Sequence, residues 1–270
     1  MSRDALASCL MVTLPVPRRL PYFRASVADY CRQSWPRREL VVVMDDGDPA
    51  TRAAMVGHLA SLGRDDIRVV DGPGTGSLGA LRNASIGNAR GEFVCQWDDD
   101  DRHHPERLAA QIEALQRHAL AAVCLEEVFQ FVEETRSLHL VSFRATRERS
   151  LPGTLLALRA AAPRYPEDGI SANKGEDSAG LRHLSARAAV AAIAGMPHLY
   201  VYVSHGANTW GPEHHRMIAE RLSVSRASVR MHERAWRDGL AAFAFEPGIA
   251  VRGRDGEAFE LHARDPTPSG

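Results

Sequence analysis

Hydrophobic positions in the first half of the chain fall into short blocks that alternate between two periods. Residues 8–13 form an apolar run of strand length, after which Leu20, Phe23, Val27 and Tyr30 recur at three- and four-residue steps. That recurrence predicts the buried face of a helix over 19–34, stopped at Trp35-Pro36 because the residue before proline disfavours helix. The β-branched run at 39–44 predicts a buried strand. A weaker helix over 51–62, a strand at 67–70, a helix from 78 to 89 and a strand at 92–97 follow. Pro105 then fits the first turn of a helix in which Leu108, Ile112 and Leu115 share a face. Strand and helix in alternation predict repeated βαβ units and a largely parallel sheet, an α/β fold.

Beyond about residue 120 the apolar blocks lengthen. The runs at 121–132 and 138–143 read as antiparallel strands covering a site, 186–194 fits helix or buried strand, and 199–204 alternates as a strand does. Residues 143–175 and the surroundings of Trp210 read as loops. Segment 224–245 looks helical, Arg254-Asp255-Gly256 suggests a hairpin, and 265–270 a disordered tail.

Two of the strands run directly into acid: Asp45-Asp46-Gly47-Asp48 follows the second, and Asp98, Asp99, Asp100 and Asp101 follow the fourth. In open α/β sheets the ligand crevice lies beyond the carboxyl ends of the strands, so both clusters fall where a site is expected. Four adjacent carboxylates repel one another. Either a hard cation such as Mg²⁺ or Mn²⁺, bridging carboxylates to a diphosphate, offsets that repulsion, or the run is a solvated loop capping the next helix. The residues alone leave both open.

The other candidates carry the same two-sided reading. Arg82 and Asn83 lie early in a helix, where a guanidinium and free backbone N–H groups can meet a diphosphate, or where an arginine simply faces solvent. Gly74-Thr75-Gly76-Ser77-Leu78-Gly79 matches a dinucleotide-binding GxGxxG, but after the third strand instead of the first. The acid at the matching distance, Asp98, belongs to the four-aspartate cluster. Glu176 and Asp177 open a short helical stretch with Leu181 and Leu184, as dipole-favoured residues or as a general base for a hydroxyl. His205 closes a strand as a metal ligand or a loop histidine. The pairs His103-His104 and His214-His215 diverge and suggest no shared metal.

Composition narrows the classes. With 270 residues, 44% hydrophobic, the chain can build one large or two small domains. A formal charge of −1 supplies no global field for nucleic acid or an anionic membrane surface. Cys9, Cys31, Cys95 and Cys124 show neither CxxC nor zinc-like spacing, and no apolar run nears the length of a membrane span or resembles a signal peptide. The expectation is a cytoplasmic protein with no transmembrane segment. Lys174 is the only lysine.

Taken in this order, the pieces resemble the inverting family-two glycosyltransferases of GT-A fold. The matching stretches are residues 8–13, the strand 39–44 with Asp45-Asp46-Gly47, Leu81-Arg82-Asn83 through Ala89-Arg90-Gly91-Glu92-Phe93-Val94, and Asp98 to Asp101 with Pro105-Glu106-Arg107-Leu108. Gly175-Glu176-Asp177 and His205-Gly206-Ala207-Asn208-Thr209 complete the pattern, while Leu14-Pro15-Val16-Pro17 departs from the usual aromatic-Asn sequence. The resemblance implies a Rossmann-like mixed sheet flanked by helices with a C-terminal acceptor-side extension. Residues 1–118 would be the nucleotide-sugar half, 119–222 the acceptor and catalytic half, and 223–270 a helical extension and tail. It implies metal-dependent inverting transfer, with Mn²⁺ or Mg²⁺, from a nucleotide-sugar donor, a UDP-sugar, to a hydroxyl on a glycan, a lipid-linked acceptor or a small molecule.

By the same resemblance Thr13 and Asp46 contact the nucleoside and Arg82, with Asn83 beside it, the base or diphosphate. Asp98 and Asp100 form the DxD pair with Asp100 directly on the metal, and His205 is a ligand to metal or diphosphate. Asp177 is the base, with Glu176 positioning it or the acceptor. Two alternatives stand beside this: a nucleotidyltransferase, which leaves Gly175-Glu176-Asp177 without a role, and an inactive nucleotide-sugar-binding module. Glycoside hydrolysis needs two carboxylates flanking the scissile bond, and the sequence offers one candidate outside the acidic cluster.

Overall fold

A computed structural model describes residues 4–261 other than Thr75; the tail expected at 265–270 lies outside the described residues. The first blocks fold as their periods dictate: β1 (Ala7–Thr13), α1 (Leu20–Cys31), β2 (Arg38–Met44), α2 (Pro49–Ser61), β3 (Ile67–Asp71), α3 (Leu78–Asn88) and β4 (Phe93–Gln96). After the aspartates come β5 (Arg102–His103) and α4 (Arg107–Arg117), then β6 (Ala122–Leu125), β7 (Glu127–Val132), β8 (Ser137–Ser142) and β9 (Leu151–Leu158). The chain continues through α5 (Glu176–Ser185), β10 (Val190–Ile193), β11 (Tyr200–Ser204), α6 (Pro212–Leu222), α7 (Arg226–Met231) and α8 (Glu233–Leu240), and the described part ends in β12 (Ile249–Gly253) and β13 (Gly256–Leu261).

Seven strands form one sheet in the order β10-β6-β9-β4-β1-β2-β3. β1 runs parallel to both β2 and β4, with Thr13 beside Met44 and Leu10 beside Gln96, so the carboxyl ends of all three open on the same edge. Every residue of β1 is buried, as are Val41, Val42 and Val43 of β2, because apolar clusters cover both faces of the sheet. Phe23, Val27 and Tyr30 of α1 and Leu108, Ile112 and Leu115 of α4 join one cluster; Leu81 of α3 with Leu181 and Leu184 of α5 join the other. Cys9, Cys95 and Cys124 are buried free thiols.

The second sheet, β13-β12-β8-β7-β11-β5, brings the distant chain back over the site. β11 pairs antiparallel with β5, matching Val201 to Arg102, and therefore carries its carboxyl end back along the aspartates that precede β5. The pairings are mixed, not uniformly antiparallel as expected: β7–β8 is antiparallel, whereas β7–β11 and β8–β12 are parallel, as is β6–β10 in the first sheet.

Several expectations need correction. The stretch 143–175 is not all loop, since β9 lies inside the first sheet between β4 and β6, antiparallel to both. The chain just after Trp210 contains α6. The ambiguous segment 186–194 contains a strand, and 224–245 holds two short helices and a single turn. The run 121–132 breaks at Glu126 into strands of different sheets. Pro105 precedes α4 by two residues and is not in its first turn. The hairpin at Arg254-Asp255 forms as expected, joining β12 to β13. Among the described residues no helix is long and apolar enough to cross a membrane.

One close approach fixes the wall of the site. A Cβ placed on Gly79, in the first turn of α3, would lie 1.8 Å from the carbonyl oxygen of Pro166. Gly79→Ala is therefore expected to push the 163–173 segment off the helix and to lower stability by about 1–3 kcal/mol, the usual effect of overpacking. A urea unfolding midpoint checks it, and an unchanged midpoint would mean that the segment yields freely.

Candidate functional site

The carboxyl edge of the first sheet opens into a cavity of about 380 Å³. Asp98 to Asp101 and Arg82 line it together with Glu176 and Asp177 from the start of α5. Chain geometry explains the convergence. β4 delivers the aspartates at the crevice, α3 supplies Arg82 from its first turns, and Gly175, at φ 77°, turns the chain so that α5 begins at Glu176. A left-handed residue at that turn suits glycine, and acids in a first turn are favoured by the helix dipole.

Donors from four directions offset the acidic run. The Arg82 guanidinium, nearly buried, donates Nη2 to Asp98 Oδ1 at 3.1 Å and Nε to Glu176 Oε1 at 2.9 Å. Arg19 holds Asp99 at 2.7 Å and Asp100 at 3.3 Å. The Thr13 hydroxyl donates to Asp99 and the Tyr200 hydroxyl to Asp101, whose other oxygen accepts the Val203 N–H at 2.7 Å. His205 Nε2 lies 3.2 Å from Asp100 Oδ2, and the Asn208 amide donates to the same oxygen at 3.3 Å. Tyr22 stacks on the His205 ring with centroids 4.1 Å apart, which fixes its plane.

These surroundings separate the carboxyls. Burial raises Asp101 well above the ordinary carboxylate range, with Asp100 and Asp98 adding to it. Burial also pushes Asp99 up to about 6 against the pull of Arg19. At Asp100 burial is outweighed by the His205 contact and Arg19, and the carboxyl is held below its usual value. Asp177 is pushed up to about 6, first by burial and then by the neighbouring Glu176. Its Oδ1 accepts the Ser178 N–H at 2.6 Å.

The structure brings Arg82, Asp98, Asp100, Glu176 and Asp177 together on one cavity, with His205 touching it through Asp100. Thr13 is turned toward Asp99. Asp46 is exposed on the loop after β2 and does not line the cavity. Asn83 faces away from the acidic cluster: its amide donates to Tyr165 O at 2.9 Å and Glu167 Oε1 at 2.7 Å, and its oxygen accepts the Tyr165 N–H. Two of the N–H groups at the head of α3 are already taken. Leu78 N donates to Asn173 Oδ1 at 2.8 Å and Ala80 N to Ser77 Oγ at 3.3 Å, which leaves less of the anion site that the GxGxxG reading needs. Arg19 and Tyr200 have no role in the sequence reading, and Asn208 enters it only within the stretch His205-Gly206-Ala207-Asn208-Thr209. Arg19 carries a legible signal, a basic pair just past the carboxyl end of a buried strand.

For a divalent cation, the fitting donors are the Asp100 carboxylate and the His205 imidazole, oxygen and nitrogen ligands of the kind Mn²⁺ accepts. Asp98 faces Arg82. Among the described residues no three His, Cys, Asp or Glu side chains converge as a ready-made metal site, so the remaining ligands would have to come from phosphate oxygens and water.

Comparison with known proteins adds family and fold. The sequence model described as Glycosyl transferase family 2 matches residues 11–161. No curated protein matches the chain. The S. aureus TarS 1–349 structure is similar at a TM-score of 0.58 and 18% identity, covering 88% of this chain and 80% of that one. The same TarS fragment has been solved with UDP, at 16% identity and 0.58, and with UDP-GlcNAc, at 15% and 0.56; these cover 88% and 90% of this chain and 80% and 68% of those chains. The mannosyltransferase PcManGT of Pyrobaculum calidifontis, solved with GDP-Man and Mn²⁺, aligns at 0.57 and 17% identity over 88% of this chain and 66% of that one.

Proposed function

We propose that this chain, which belongs to glycosyl transferase family 2 and is a glycosyltransferase, moves a sugar from a nucleoside diphosphate, a UDP-sugar, to an acceptor hydroxyl with inversion. The observation that carries the reading is Asp177, a carboxyl pushed up to about 6 and set in the same cavity as Arg82 and the aspartates. A base is most effective when its pKa lies near the working pH. Asp177 takes the proton of the acceptor hydroxyl as its oxygen attacks the anomeric carbon. Arg82 faces the negative charge that grows on the departing diphosphate, and Asp98 and Glu176 hold the guanidinium in place for it. Glu176 therefore positions Arg82, and Asp177 is the carboxyl left for the proton.

Asp100 and His205 are the residues that would hold a divalent metal, and the GDP-Man and Mn²⁺ bound by PcManGT support metal dependence of the donor site. Such an ion would supply charge neutralisation for the leaving diphosphate. UDP and UDP-GlcNAc bound by TarS support a uridine donor. Thr13 and Asp46, at the carboxyl ends of β1 and β2, belong on the nucleoside side of the site, with Asn83 supporting that wall through the Tyr165 backbone. Residues 1–118 then form the donor half and 119–222 the acceptor half, with the remainder to 270 as extension; a cytoplasmic location belongs to the same reading.

One assay tests reaction and base together. UDP release from a UDP-sugar, measured as kcat/KM, is expected to rise about tenfold per pH unit below about 6 and to level off above it, because Asp177 must be ionised to accept a proton. Release of sugar 1-phosphate in place of UDP would instead identify a nucleotidyltransferase, and a rate independent of pH between 5 and 7 would remove Asp177 from the base role.

A further inference from the structure

The cavity has two unlike walls. Apart from the aspartates and their partners, its lining includes the open surface of a packed apolar cluster, in which Phe143 and Ile218 are buried and Leu151, Tyr202, Met217 and Leu222 are only half-buried. α6 packs on β8 here, and an isolated bridge between Val141 and Ser223 fixes the two against each other. The half-buried aliphatic side chains therefore present hydrocarbon to the same space as Asp177.

Several polar groups along this wall are already used in part by the protein. The Thr146 hydroxyl donates to Phe143 O at 2.7 Å and the Ser150 hydroxyl to Glu148 O at 3.2 Å. Glu148 accepts from Arg182 at 2.6 Å, and Asn173 takes the Leu78 N–H. The Trp210 ring, a platform on which a sugar ring would stack, has His214 stacked on it at 4.3 Å and the Lys174 ammonium 5.6 Å from its centroid. A glycan pressed against the aliphatic stretch of this wall would bury hydroxyls against side chains that offer them no partner, an arrangement that binding disfavours. Hydrocarbon suffers no such penalty there.

We infer that the acceptor carries its hydroxyl on an aliphatic body, which lies on the Leu151, Met217 and Leu222 surface while the hydroxyl faces Asp177. The inference rests on the glycosyltransferase reading of the cavity. It separates an amphipathic acceptor from a wholly hydrophilic one, and it assigns the specificity to α6 and the start of β9.

The test uses n-alkyl β-D-glucosides with methyl, butyl and octyl tails, all below their micellar concentrations, titrated calorimetrically into the full chain in the presence of UDP and Mn²⁺. Affinity is expected to rise about two- to fourfold for each added methylene that reaches the wall. Leu222→Gln, whose melting temperature reports folding, should flatten that dependence; Met217→Gln serves if Leu222→Gln does not fold. Equal affinity for methyl and octyl glucoside, or an undiminished tail dependence in the folded variant, would overturn the inference. UDP binding on the same samples separates the two levels: if UDP binds while tails make no difference, the aliphatic subsite alone falls, and if UDP does not bind, the reading beneath it falls too.

Discussion

Asp177→Asn is expected to lower turnover by about 10²–10⁴-fold, the usual contribution of a positioned general base, while leaving donor affinity within about twofold. Asparagine keeps the shape and can still accept the Ser178 N–H, but it cannot take a proton. Glu176 cannot replace it, because its Oε1 is held by Arg82 Nε at 2.9 Å. Stability moves the other way. A carboxyl whose folded pKa stands at about 6, raised from 3.8, opposes folding once ionised, so above that pH the neutral amide removes a penalty. The variant should therefore melt no lower than the parent at pH 8. Single-turnover UDP release, UDP calorimetry and a melting curve together check these expectations. A variant that loses donor binding along with turnover would mean that Asp177 shapes the donor pocket.

Arg82→Met is expected to be the most destabilising single change in the site, by about 3–5 kcal/mol, because it leaves Asp98 and Glu176 facing each other without their shared cation. Adding Asp98→Asn and Glu176→Gln to the same chain should recover most of that loss, since the penalty comes from unpaired carboxylates and not from the missing side-chain volume. Lysine cannot restore the arrangement, as one ammonium lacks the fork that reaches both partners. Urea midpoints of the single and triple variants check the account. A triple variant no more stable than Arg82→Met would shift the explanation to packing around the guanidinium.

Legibility in the sequence followed from how local each signal is. β1, β2 and α3 were readable because their burial is set by residues within one run: Val41, Val42 and Val43 are buried wherever a two-face-covered strand places them. β9 was not. Pro152 and Gly153 look like a turn, yet they sit in a strand where a Cβ on Gly153 would lie 3.1 Å from Asp98 Oδ2, so the small residue there reflects a partner 55 positions away. The same holds at the site. The four aspartates announced themselves, but their offsetting cation had to be found in three dimensions, and it proved to be Arg19 and Arg82 on separate helical segments. His205 reaches Asp100 only because β11 pairs antiparallel with β5, a register that no local pattern encodes.

The central claim is that this acidic cavity binds a nucleoside diphosphate with a divalent metal. The most direct measurement is UDP calorimetry with and without Mn²⁺ on the parent chain and on Asp100→Ala. The account predicts binding that strengthens with Mn²⁺ in the parent and loses that metal dependence in the variant, since Asp100 is the carboxylate facing His205. Equal UDP affinity with and without metal, unchanged by Asp100→Ala, would contradict it.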